Sequence, residues 1–306
     1  MVLLAGALAA CGGSGGSNAL SLLGDTFQSH KPIESGRIFL SFGLTSLPAA
    51  TAGASAQATS LQLQGPFESR GSGRLPDFAL QIALRSASGA GPRALQAGLT
   101  STGGQLFIEL AGTSFAAPAA TVQALARGYT QATGSATGRS STFSLLGVEP
   151  GEWLVNPTIV GTDEIAGTET THITAGLDVA RFVADAQKLS GAGSALGLGA
   201  AGPTALLSPA AISALASSVR AAHVDVYTGT EDHLLREITL TASVAATPQT
   251  RAALGDISSA TLTLTLQFAD LNEPQSISAP SNPQPITGLL GALQRLGLLS
   301  STSSGA

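Results

Sequence analysis

The chain has 306 residues, 19 of them acidic and 14 Lys or Arg, for a net charge of -5. It is long enough to bury a substantial core and carries no basic footprint for nucleic acid. Charged residues are 11% of the chain and mean hydropathy is +0.30, apolar for a soluble protein but far from a membrane-spanning composition. The single cysteine, Cys11, excludes an internal disulfide.

Residues 1–10 form a short apolar run that ends Leu8-Ala9-Ala10-Cys11, the small-residue pattern of an export signal. In this form it resembles a bacterial lipobox, without the basic residues that usually precede one. The resemblance implies that Cys11 becomes the mature N-terminus and carries lipid. A simple secretory or incidental apolar start is the other reading. Gly12 to Gly16 matches Gly-x-Ser-x-Gly by letter, but a nucleophile elbow needs a strand before it and a helix after it. A glycine-rich tether fits better.

Leu20, Leu23 and Phe27 then share one face of an amphipathic helix over Ser17–Ser29. From here the chain alternates apolar and polar residues, the two-residue period of a strand with one greasy face. Arg37–Thr45 carries Ile38, Leu40, Phe42 and Leu44. Ala58–Phe67 carries Leu61, Leu63 and Phe67. Asp77–Arg85 carries Phe78, Leu80, Ile82 and Leu84. Ala94–Thr100 and Gln105–Leu110 continue the series, with Gly103-Gly104 as a hairpin signal. Short Gly-, Ser- or Pro-rich connectors favour an antiparallel meander.

The spacing predicts a helix over Pro118–Tyr129, a polar loop over Gln131–Thr142, and no clean period over Phe143–Val160, which holds the one tryptophan, Trp153. A hairpin about Ala166-Gly167 follows, then a helix over Asp178–Ser190 with Val179, Phe182 and Val183 on one stripe. Gly197, Gly199 and Gly202 spell a dinucleotide fingerprint by letter, but they sit between helices rather than after a strand. Ser208-Pro209 opens a further helix. Strands follow at Ala222–Thr228, Leu234–Val244 and, without a slip in the alternation, Ala260–Phe268. Asn272–Pro285 is proline-rich and predicted to run extended, the spacing predicts an apolar helix over Ile286–Leu299, and Ser300–Ala306 reads as a disordered tail.

Chemistry-bearing motifs are sparse. The histidines His30, His172, His223 and His233 show no metal-pair spacing, and no calcium or phosphate loop is present. His223 and Asp225 share a strand face and offer an acid–base pair; a partly exposed strand pair is the commoner outcome. The expectation is no enzyme, no cofactor and no metal. About eight amphipathic strands make one apolar face, and the helices Pro118–Tyr129, Asp178–Ser190 and Ser208–Arg220 are its candidate covers. A filled core and a ligand slot both satisfy that pattern.

Ala222-His223-Val224-Asp225-Val226-Tyr227, His233–Leu240, Ala260–Phe268 and Asn272–Pro280, together with the lipobox, resemble the LolA-like cell-envelope lipoproteins of the LppX/LprG type. The resemblance covers Cys11 to Pro285. It implies an α+β fold, a large curved antiparallel half-barrel sheet with helices covering its concave apolar face. It also implies an exported protein, lipid-anchored to the outer side of the cytoplasmic membrane, that holds a lipid or acylated amphiphile for transport or presentation. An envelope transporter is the kind of protein partner implied. Leu40, Phe42, Leu80, Ile82, Trp153, Phe182, Leu264 and Leu266 are the expected apolar contacts. Residues 1–16 would be signal and tether, 17–285 one lipid-binding domain, and 286–306 an apolar segment with its tail. The extra linker Gly191–Gly202 and the apolar segment after Pro285 depart from that family's pattern. A structural or sensor module with a filled core is the rival, and a hydrolase acting through His223 a third.

Overall fold

Alternating Leu/Thr and Leu/Gln runs leave each strand with one face that needs cover, and pairing strands side by side gathers those faces into one wall. In the computed structural model, which describes residues 15–28, 31–48, 56–71, 73–88, 91–134, 149–185, 209–251 and 256–295, the wall is a single twelve-stranded sheet. It is open and curved. Cys11, the linker Gly191–Gly202 and the tail Ser300–Ala306 lie outside the described residues.

The strands are β1 (Ser35–Pro48), β2 (Gln57–Glu68), β3 (Asp77–Ser88), β4 (Gly91–Thr102), β5 (Gln105–Leu110), β6 (Thr113–Ala116), β7 (Leu154–Ile165), β8 (Thr168–Leu177), β9 (Val219–Gly229), β10 (Leu235–Ala245), β11 (Ile257–Ala269) and β12 (Gln284–Pro285). Their order across the sheet is β12-β6-β5-β4-β3-β2-β1-β11-β10-β9-β8-β7. All neighbours run antiparallel except β12 and β6. The sheet is thus two meanders sewn together at its middle, where β1 pairs with β11 from Arg37↔Ala269 onward.

Two-residue turns with positive φ close the β4–β5, β5–β6 and β7–β8 hairpins. Gly103 and Gly104 both hold positive φ, at 59° and 76°, which suits a turn whose twist matches its strands. Gly65 has another role. A methyl group there would strike the Ala79 carbonyl oxygen on β3, so β2 approaches β3 closely only because no side chain stands between them.

The helices are α1 (Gly15–Phe27), α2 (Ala119–Gly134), α3 (residues 179–185), α4 (Pro209–Ser218), α5 (Pro248–Arg251) and α6 (Thr287–Arg295). The cover differs from the expected one. Ala19, Leu23 and Phe27 of α1, at four-residue spacing, sink into the wall against Leu154, Ile173, Ala175, Val224, Val226, Leu235, Leu240 and Ala242. Phe182 of α3 packs against the same core. At the other end Leu289, Ala292 and Leu293 of α6 pack with Leu95, Ala97, Leu110 and Phe115. The segment after Pro285 therefore supplies cover. The expected cover α2 lies beside β5 and is absent from both clusters among the described residues.

Two further corrections concern the middle of the chain. Within Phe143–Val160, where no clean period shows, Pro150–Trp153 is one 3-10 turn and Leu154 opens β7. β7 is an edge strand with register irregularities at Val155/Thr158 and Ile159/Gly161, and such bulges break the alternation that would reveal a strand. Residues 131–134, read as loop, continue α2. The short β6 was missed altogether, being only 4 residues long.

The β9–β10 turn is tied by charge. Arg236, 8% exposed, donates to the Asp232 carboxylate at 2.6 Å, and the Leu234 amide donates to the same group at 3.0 Å. Burial opposes ionisation of Asp232. The Leu234 amide, the Arg236 guanidinium and the Lys31 ammonium outweigh it and hold the carboxyl below its usual value. A depressed folded value means stability that is present above the ordinary carboxylate pKa and lost as pH falls through the folded one. Asp232→Asn is expected to cost about 1–2 kcal/mol at pH 7, discounted because Asp232 is one-third open to solvent. The gap to the parent should shrink at pH 3, read by urea unfolding at both pH values. An equal gap at both would show that the carboxylate charge contributes nothing.

Candidate functional site

Register places the wall's central residues in straight rows. One row runs Leu266, Leu40, Leu63, Ile82 and Ala97 across β11, β1, β2, β3 and β4. The next runs Leu264, Phe42, Leu61, Leu84 and Leu95 across the same strands. Leu80 stands one step along β3, opposite Leu99. Cross-strand neighbours lie about 5 Å apart, so these leucines, one isoleucine and one phenylalanine form a continuous aliphatic surface. It spans roughly 19 Å across the five strands.

Among the described residues this surface is incompletely covered. Neither apolar cluster contains a residue of β1, β2 or β3 among the described residues. Leu40, Phe42, Leu61, Leu63, Leu80, Ile82 and Leu266 are half-buried, and Leu84 is 39% exposed. By contrast Ile173 and Val226, in the same face under α1, are both 0% exposed. The apolar face is therefore roofed at its two ends and bare in the middle, among the described residues.

Six of the eight expected contact residues, Leu40, Phe42, Leu80, Ile82, Leu264 and Leu266, meet on this surface. Trp153 and Phe182 do not join them. They stand by the start of β7, seven strand places from β3, with ring centroids 5.1 Å apart and planes at 87°. The Trp153 indole N–H donates to Asp185 Oδ2 at 3.0 Å, and the Glu149 amide donates to the same oxygen at 3.1 Å. Leu61, Leu63 and Leu84 were not among the expected contacts. Their alternation was visible, but only the order of strands shows that β2 lies between β1 and β3.

Depressions with depth lie elsewhere. One of about 510 Å³ opens between α1 and the start of β7, lined by Leu20, Leu154, Val155, Pro157, Asp178 and Arg181 among others. Arg181 there pairs with Glu152 and, at 3.5 Å, with Asp178. A second of about 500 Å³ is bounded by Gln123, Ala126, Arg127 and Thr130 of α2. Both are open to solvent, and neither contains a residue of the bare wall.

The polar face carries the histidine pair. Asp225 Oδ1 lies 2.8 Å from His172 Nε2 and 3.1 Å from His223 Nε2. His172 Nδ1 lies 3.3 Å from Asp163, and its ring stacks on Tyr227 with centroids 4.4 Å apart. His223 Nε2 also meets Thr174 Oγ1 at 2.9 Å. Burial, then the charges of Asp225, Asp163 and Glu237, push the Tyr227 phenol above its ordinary value. The network ties β7, β8 and β9 together, and neither depression includes His223 among the described residues. No group of three His, Cys, Asp or Glu is placed to hold a metal ion among the described residues. No described helix is long and apolar enough to cross a membrane.

An open antiparallel sheet with helices packed on its apolar face is the architecture that the family resemblance implied. No protein-family model and no curated protein matches the chain. Among solved structures it is similar to LprF from Mycobacterium bovis, at 11% identity and a TM-score of 0.41, over 88% of this chain and 99% of that one. It is also similar to the lipoprotein LppX from Mycobacterium tuberculosis, at 13% identity and a TM-score of 0.35, over 86% and 99%. These are likenesses in the layout of strands and helices, and no ligand or partner follows from them.

Proposed function

We propose that this chain is a cell-envelope lipoprotein that holds the alkyl part of a lipid or other amphiphile against the bare rows of β1, β2 and β3, between the roofed residues of β11 and β4, and carries or presents it. The observation behind this reading is the half-exposed aliphatic surface between two roofed ends of one continuous face. Each methylene removed from water there contributes about 0.8 kcal/mol, so such a seat needs little polar decoration. The residues act by apolar contact, with no bond made or broken. Acylation at Cys11 and anchoring on the outer side of the cytoplasmic membrane belong to the same reading, supported by Leu8-Ala9-Ala10-Cys11.

The test is organic extraction of the purified chain lacking its first eleven residues, followed by mass spectrometry, before and after incubation with mixed lipids. Alkyl lipids at near-stoichiometric amounts are the expected result. A chain that never retains lipid, even when offered it, favours the rival interaction module.

A further inference from the structure

The wall has a polar end. Along its apolar face β2 reads Leu63, Leu61, Thr59, Gln57; β3 reads Ile82, Leu84, Ser86; and β4 reads Ala97, Leu95, Arg93. Leu61 lies beside Leu84, and Leu84 beside Leu95. One step further Thr59 lies beside Ser86, and Ser86 beside Arg93. Leucine thus gives way to two hydroxyls and a guanidinium in a single row. On β1 the change comes at Ser46, opposite Gln57.

Arg93 differs from the other arginines in its place. Parity from the unbroken β3–β4 register puts it on the apolar face, where it carries the only charge from β1 to β4 among the described residues. Arg85 and Arg37 fall on the opposite face. Arg70 is paired with Asp77 at 3.1 Å, whereas Arg93 has no acidic partner among the described residues. A solvated surface arginine is commonplace. This one borders an alkyl seat, flanked by neutral hydroxyls over two strand spacings, about 10 Å.

We propose that the wall selects an anionic amphiphile. Its chains lie on the leucine rows, and its phosphate or carboxylate headgroup sits at Arg93, with Ser86 and Thr59 donating hydrogen bonds. The guanidinium presents two parallel N–H donors to an oxyanion, a charge-assisted contact stronger than a neutral one. This rests on the reading of the wall as an alkyl seat and adds the headgroup class and the ligand's direction.

The experiment titrates the delipidated chain with three probes: dioctanoyl phosphatidic acid, dioctanoylglycerol and inorganic phosphate. The first two share their chains and differ in the phosphate. The parent is expected to bind the acid at least about tenfold more tightly than the neutral lipid, and inorganic phosphate far more weakly than either. Arg93→Gln should erase that preference and leave affinity for dioctanoylglycerol unchanged. Arg93→Lys should restore part of it, and Arg85→Gln on the other face should change nothing. Equal binding of the two lipids by the parent, or an equal loss for both in Arg93→Gln, overturns the headgroup site while the alkyl seat stands. Phosphate binding as tightly as the lipid acid makes Arg93 a free-anion site and overturns the proposal. Binding of neither lipid overturns the wall reading and this proposal with it.

Discussion

Leu63→Asp should weaken alkyl binding by about 100-fold or more while the fold stays intact. Leu63 sits between Leu40 and Ile82 in the centre of the bare rows and is half-buried without ligand. A carboxylate there keeps its water as long as the wall is uncovered. An alkyl chain laid over it would strand an unpaired charge, and desolvating such a group costs several kcal/mol; about 3 kcal/mol is already a hundredfold in affinity. Displacement of a bound fluorescent fatty acid measures the loss, and urea unfolding checks the fold. Gln62→Asp, one residue along and on the opposite face, is the matched control. Undiminished binding in Leu63→Asp would mean that the seat lies elsewhere.

Leu23→Ala should cost about 3 kcal/mol, because Leu23 is 3% exposed at the centre of α1's buried stripe and its removal leaves a cavity. For a chain of this size that is a fall in melting temperature of roughly 5 °C. Leu84→Ala, at a site 39% exposed, should cost under about 1 kcal/mol. The comparison is the sharper result, since Leu23 packs onto the same side of the sheet from which Leu84 projects. Equal costs would mean that the middle of the wall is as filled as its end, and the interaction-module reading would gain.

The alkyl seat and the histidine network show how face decides role. His223 and Asp225 do share a strand face, as their spacing required, and they are in contact. Their face is the outer one, where His172, Asp163, Thr174 and Tyr227 surround them. The network links Asp163 of β7, His172 of β8 and Asp225 of β9. Hydrolase activity would need a pocket over that face, and neither of the two depressions lies there among the described residues.

Long, clean alternation was readable from residues alone. β1, β2, β3, β5, β10 and β11 fall where the period of two placed them, because side-chain direction along a strand depends only on local backbone geometry. β7 was hidden for the same reason in reverse, since its bulges shift the phase. The site was half legible. Leu40, Phe42, Leu80, Ile82, Leu264 and Leu266 belong to one surface, but nothing local shows that Leu61 and Leu63 fill the gap between them.

The sequence by itself determined the long, regularly alternating strands, the turns at Gly103-Gly104 and Ala166-Gly167, and which of their residues face the greasy side, since each depends on neighbours a few residues away. Only the tertiary structure decided that β1 pairs with β11, more than two hundred residues on in the chain, and so joins two meanders into one wall. It also decided that α1 and α6 roof the ends and leave the middle bare. Helical periodicity says which side of a helix seeks cover, but which strands it reaches depends on how the intervening chain returns.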